Sequence, residues 1–209
     1  MITSLLKLIY KFENYLIETI PVKQPLNKII VASIATLSVL MSVIIIGALI
    51  ERIKRFEYKS LADASGNKLA NFIVYRLTFP GTIIHEFSHA MFAFIAGAKV
   101  TKIQCFSTKK NTLGYVTYQS RGSKIQQGFQ HSITACAPVV SGLILIPIFV
   151  SLMLQSNDTM LKILFGYLAV SIVNHMNMSN LDIKQYIKGI PVLFLITFTA
   201  SYISLLTIK

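Results

Sequence analysis

Long uncharged apolar runs, rather than the short alternations of a soluble core, organise this sequence. Stretches without a formal charge extend over 29–50, 125–157 and 163–181, and a fourth follows Lys188 up to Ile208. Each reaches the roughly 17–25 residues that a helix needs to cross a bilayer. A fifth segment, about 69–98, differs because it carries Arg76, His85, Glu86 and His89. Ionisable groups inside lipid are costly enough to mark function, so this segment is where chemistry is expected. Between the runs, the pattern turns β-like from Lys99 to Tyr118. Val100, Ile103, Cys105 and Phe106 precede a polar turn at Lys109, Lys110, Asn111 and Thr112, and Tyr115, Val116, Thr117 and Tyr118 follow it. This predicts a hairpin beside the membrane. The stretch from Glu51 to Lys68 reads as a loop of mixed charge, with Gly66 and Asn67 as turn signals. At the N-terminus, Leu5, Leu6, Ile9, Phe12, Leu16 and Ile20 fall at helical spacing with no small-residue cleavage site after them. They predict an interfacial amphipathic helix, not a signal peptide. The expected architecture is an all-α polytopic membrane protein of about five transmembrane segments with a small membrane-proximal β-hairpin. Residues 1–28 form its amphipathic segment and residues 29–209 one membrane-embedded domain.

Composition agrees with this pattern: 54% of the 209 residues are hydrophobic, 13% are charged, and the mean hydropathy is +0.62. A water-soluble globule is excluded on these figures. The net charge of +12 alone could suggest nucleic acid, but the basic residues sit between apolar runs and form no interleaved basic–aromatic face. The lipid bilayer and its anionic headgroups are the expected partner, and nucleic acid is not. The two cysteines, Cys105 and Cys136, lie in unlike contexts and imply no disulfide framework.

The chemistry resides in His85-Glu86-Phe87-Ser88-His89, an H-E-x-x-H motif. On a helix, histidines four residues apart rise about 6 Å and face the same side, so both imidazoles can bind one zinc ion. Glu86 is rotated by about 100° from His85, where its carboxylate can act as general base without being a ligand. The alternative is that these polar groups are satisfied within the bundle and line a water-filled cavity or proton path.

His85 to Ala90, with Ala93, Gly97 and Val100 following, resembles the first active-site motif of the site-2 protease class of intramembrane zinc metalloproteases. That family carries a third ligand, an aspartate, in a later pattern N-x-x-P-x-P-x-L-D-G. Here Asn174 falls eight residues before Asp182 of an L-D pair, while Asn177, Ser179 and Ile183 replace both prolines and the glycine. Ala137-Pro138 with Ser141-Gly142 is similar to the small-residue segment that precedes the second motif in many such proteins. The resemblance spans about 77–188 and implies a compact member without a soluble regulatory domain. It implies His85, His89 and Asp182 as ligands of one Zn2+ per chain, Glu86 as catalytic base, and Asn174 as a hydrogen-bond donor to the oxyanion. Two alternatives stay open. Ser179-Asn180-Leu181-Asp182 also reads as a helix-capping box, and His175 is the substitute third ligand. His131 reads as interfacial.

If the segments alternate in direction, His85 and Asp182 must lie near the same membrane face. The motif helix must then begin upstream, near Leu69, with Pro80 kinking or breaking it. Alternation also collects twelve of the 20 basic residues on the face that bears the loop from Lys99 to Lys124, making that face cytoplasmic and opening the site toward the cytoplasmic half of the bilayer. The expected function is an intramembrane zinc endopeptidase acting on transmembrane or membrane-proximal protein or peptide substrates, in a prokaryotic plasma membrane. The alternative function is a non-catalytic membrane scaffold or carrier that retains a metal site. Oligomeric state and substrate identity are not legible.

Overall fold

The computed structural model describes residues 25–105 and 114–207, together with Lys11, Phe12, Tyr15 and Thr19. The expected amphipathic segment lies, but for those four and residues 25–28, outside the described residues. So does the turn from Lys109 to Thr112. In chain order the elements are α1 (Leu26–Ser65), α2 (Asn67–Asn71), a π-helical stretch (Phe72–Leu77), α3 (Phe79–Ile95), β1 (Lys99–Gln104), β2 (Tyr115–Gln119), α4 (Lys124–Gln155), α5 (Thr159–Val173) and α6 (Asn180–Thr207).

Among the described residues three helices, α1, α4 and α6, are long and apolar enough to cross a membrane, and α5 is a shorter apolar helix. Three stretches differ in detail from the expected segments. Glu51–Lys68 is not a loop: α1 continues through it for 40 residues in all. Strong helix formers fill the stretch, Glu51 and Arg55 pair at i,i+4 with Nε and Oε1 2.9 Å apart, and no proline interrupts it. The helix stops where Gly66, at φ 81°, adopts a conformation that side chains resist. Second, the segment from Leu69 to Ala98 is divided beside Pro80, the break that the sequence offers as one of two outcomes there. It breaks at Thr78, and Pro80 lies in the first turn of α3, where its missing N–H costs nothing. Third, the run 163–181 is helical only as far as Val173, and Asn174–Ser179 is non-helical before α6 begins at Asn180. Because the start of α6 is polar, it extends upstream of the predicted run after Lys188.

The chain divides into two compact units, one of residues 1–42 with 190–209 and the other of residues 43–189. In the first, Val31, Ala32 and Leu205 form a small core packed by Phe198 and Tyr202, and Lys28 Nζ donates to the Leu205 carbonyl at 2.8 Å. The second unit holds every candidate site residue.

Within it, α3 is turned inside out relative to a soluble helix. Thr82, Glu86, His89 and Ala93 share the buried face, whereas Phe87, Phe94 and Ile95 are 58%, 75% and 71% exposed. Large apolar side chains pointing outward and small or polar ones inward are the arrangement expected of a helix bundle in lipid. The first half of α4 buries Ser132, Thr134, Ala135, Ala137, Ser141 and Gly142, small residues that admit close neighbours. At Gly81 a Cβ would stand 1.9 Å from the Ser171 carbonyl oxygen, so only glycine lets α3 start this close to α5. Beyond α3, β1 and β2 pair antiparallel, Val100 opposite Tyr118 and Gln104 opposite Tyr115, with an irregularity at Thr101. That is the predicted hairpin.

Candidate metal centre

His85, His89 and Asp182 converge: one ligand atom of each lies within 4.8 Å of the other two. The two histidines come from one face of α3, as their spacing requires. Asp182 arrives from the first turn of α6, which α4 positions: Ser132 Oγ donates to the Tyr186 carbonyl at 2.9 Å, and a Cβ at Gly189 would clash with Ser132 and with the Gly128 carbonyl.

Imidazole orientation is fixed by backbone carbonyls with nothing else to bind. His85 Nδ1 donates to the His175 carbonyl at 2.5 Å and His89 Nδ1 to the Thr134 carbonyl at 2.8 Å. A carbonyl only accepts, so both rings carry their proton on Nδ1 and, when neutral, present a bare lone pair at Nε2. Each carbonyl is free for a local reason. His175 lies past the end of α5. Thr134 lies four residues before Pro138, inside α4, and proline has no N–H with which to close that turn. The two Nε2 atoms stand 3.1 Å apart, and His89 Nε2 is 3.7 Å from Asp182 Oδ1. Two lone pairs so close repel unless a cation joins them. Two imidazole nitrogens and a carboxylate oxygen also match the three-protein-ligand set of a catalytic zinc site, so the residues fit the metal.

The two sequence readings of Asp182 draw on different oxygens. Oδ2 accepts from Ser179 N at 2.9 Å and Ser179 Oγ at 2.6 Å, while Asp182 N donates to Ser179 Oγ at 3.1 Å. That is a capping box, and it leaves Oδ1 directed at His89. The proline-to-serine departure at 179 thus supplies the group that orients the carboxylate. His175 is not in the ligand group. Its Nδ1 donates to the Ser171 carbonyl at 3.0 Å, and its contribution to the site is the carbonyl that holds His85. Asn174 Nδ2 lies 3.4 Å from Glu57 Oε1.

Glu86 is 8% exposed and faces the start of β2, where a Cβ at Gly114 would lie 2.7 Å from Glu86 Cγ. Near Asp182, burial and the aspartate's charge push the Tyr118 phenol up to about 12. It therefore stays protonated, donating to Gln185 Oε1 at 2.6 Å, with its oxygen 3.1 Å from His131 Nδ1. Burial and the charge of Glu86 also raise the Cys105 thiol, keeping it a poor nucleophile. Sequence reasoning missed Tyr118, Thr134 and Glu57. Of these, only Thr134 was signalled, by the proline four residues on.

A family model described as Peptidase M50B-like matches residues 64–203, well over half the chain. The chain belongs to the Peptidase M50B-like family. The match contains His85, Glu86, His89, Asn174 and Asp182, and with the three long apolar helices it makes this M50B-like chain a membrane protein. No curated protein and no solved structure matches it.

Proposed function

We propose that this M50B-like protein is an intramembrane zinc endopeptidase that hydrolyses peptide bonds of transmembrane or membrane-proximal substrates. The observation that carries the reading is the convergence of His85 Nε2, His89 Nε2 and Asp182 Oδ1, with both Nδ1 protons tied to backbone carbonyls, beside a buried glutamate outside the ligand group. His85, His89 and Asp182 would hold one Zn2+, which when bound supplies a Lewis acid that acidifies water and polarises the scissile carbonyl. Glu86 takes the proton of the attacking water at its carboxylate and returns it to the leaving amine. The His175 and Thr134 carbonyls hold the proton of each ring on Nδ1 and so leave Nε2 as the ligand nitrogen. Asn174 would have to leave Glu57 to reach an oxyanion; held where it is, its amide serves the loop.

A helical substrate must unwind before its carbonyls can be reached. The two-stranded sheet, whose β2 follows directly on Gly114 beside Glu86, supplies a strand edge on which an unwound segment can be held extended. With the segments alternating in direction, the face that bears the loop from Lys99 to Lys124 carries twelve of the 20 basic residues, which favours a site opening toward the cytoplasmic half of the bilayer.

The test is zinc content per chain of the detergent-purified wild type, Glu86→Gln, His89→Ala and Asp182→Ala, with cleavage of a model transmembrane peptide measured alongside. Wild type should hold one zinc and cleave, Glu86→Gln should keep zinc and not cleave, and both ligand variants should lose zinc. Zinc binding with undiminished cleavage by Glu86→Gln would overturn the catalytic assignment.

A further inference from the structure

The loop that carries Asn174 and leads to Asp182 has no helix or strand to hold it. Its shape nevertheless decides where the His175 carbonyl stands, and that carbonyl orients His85. The loop is buried: Asn174, His175, Met176 and Met178 are each no more than 5% exposed. Its two asparagines are anchored on one neighbour, the C-terminal half of α1. Asn177 Nδ2 donates to Glu51 Oε2 at 2.7 Å, and Asn174 Nδ2 to Glu57 Oε1 at 3.4 Å. Arg55 binds the other oxygen of Glu51 at 2.9 Å, which fixes the direction that Oε2 faces. Lys54, 8% exposed with its ammonium 4.9 Å over the Tyr75 ring, balances the charge of both carboxylates. At Gly47, one turn before Glu51, a Cβ would stand 3.2 Å from Met178, so α1 and the loop are in direct contact here.

We infer that Glu51 and Glu57 are positioning residues for the metal centre: they clamp the two ends of the 174–177 loop and thereby hold the His175 carbonyl on His85. The inference rests on the zinc reading for its consequence, but the clamp itself is a property of the metal-free chain. Glu51 is the stronger member, since 2.7 Å is a full charge-assisted hydrogen bond and 3.4 Å a weak one. A partner that orients a metal-binding histidine is typically worth 10–100-fold in metal affinity.

The experiment uses the full chain in detergent, with Glu51→Ala, Asn177→Ala, the double variant, Glu51→Gln and Glu57→Ala. Hydrogen exchange of the metal-free protein is followed over residues 174–179, and release of zinc to a chelator is followed after loading. Glu51→Ala and Asn177→Ala should each speed exchange of the loop about tenfold, with α4 and α5 unchanged. The double variant should add nothing to either, because both remove one bond. Glu51→Gln, which keeps an acceptor oxygen, should stay within about twofold of wild type, and Glu57→Ala should fall between. Zinc release should accelerate about tenfold in Glu51→Ala. Unchanged loop exchange in Glu51→Ala, additive effects in the double variant, or faster exchange spread equally over α4 and α5 would each overturn the clamp. A wild type that takes up no zinc would sink the catalytic reading while the exchange data still decide the clamp.

Discussion

Replacing Pro138 by alanine should move the stability of the metal-free protein and the affinity for zinc in opposite directions. Pro138 has no N–H, so the Thr134 carbonyl four residues earlier accepts from His89 Nδ1 at 2.8 Å instead of from its own helix. Alanine restores that N–H, and the carbonyl turns back toward the helix axis to receive it. The helix gains one backbone hydrogen bond, about 0.5–1.5 kcal/mol, together with part of the roughly 3 kcal/mol by which proline disfavours a helix interior. His89 loses the partner that fixes its tautomer and ring orientation, which costs about 10–100-fold in metal affinity, or roughly 1.4–2.7 kcal/mol. The measurements are thermal melting of metal-free protein in detergent and zinc competition against a chelator of known affinity. Pro147→Ala is the control, because the carbonyl it would re-engage belongs to Leu143, which is 48% exposed and carries no ligand. That variant should melt higher with zinc affinity unchanged. If Pro138→Ala binds zinc as tightly as wild type, the carbonyl serves both donors and the argument that the proline sets the ligand fails.

Asp182→Asn keeps an oxygen to accept from Ser179 but removes the anionic ligand, so it should melt within about 0.5 kcal/mol of the metal-free wild type while losing zinc; Asp182→Ala should lose zinc and about 1 kcal/mol besides. Scanning calorimetry with zinc analysis separates the two roles that the two oxygens play. Gly114→Ala forces its Cβ to within 2.7 Å of Glu86 Cγ and 2.8 Å of the Gln104 carbonyl, and should lower kcat on a model peptide at least about tenfold with zinc content unchanged. Tyr118 has its pKa raised from 10.0 to about 12 in the folded protein. The folded state therefore binds the proton more tightly: the stabilisation is complete below pH 10 and is lost as pH rises through about 12. Tyr118→Phe should flatten that part of the alkaline unfolding profile, and an unchanged profile would show that another group titrates there.

The histidine pair of the candidate site was legible because its geometry is local. Two histidines at i,i+4 on one helix need no tertiary information to share a face, and the stripe through Thr82, Glu86, His89 and Ala93 is the one their spacing dictates. The hairpin was legible for the same reason, from β-branched and aromatic residues on either side of a polar turn. Span boundaries were not. A charge-free run marks where lipid can be, but helices end where backbone geometry ends them. α1 runs some fifteen residues past Ile50 and stops only at Gly66, at φ 81°, and the Ser179–Asp182 box starts α6 before its apolar part.

The second motif was hardest to read because its rigidity is non-local. Where the family pattern has prolines, which stiffen a loop by themselves, this chain has Asn177 and Ser179. Each of these holds the loop only through a partner: Ser179 through Asp182, three residues away, and Asn177 through Glu51, 126 residues away. The first partnership is visible as a capping pattern, and so the cap and ligand readings of Asp182 competed on paper. The second joins a carboxylate of α1, in a stretch that reads as a loop of mixed charge, to the loop whose His175 carbonyl accepts from His85. Substituting hydrogen bonds for prolines makes the site dependent on the docking of α1. Disturbing that docking should therefore loosen the metal without touching a ligand.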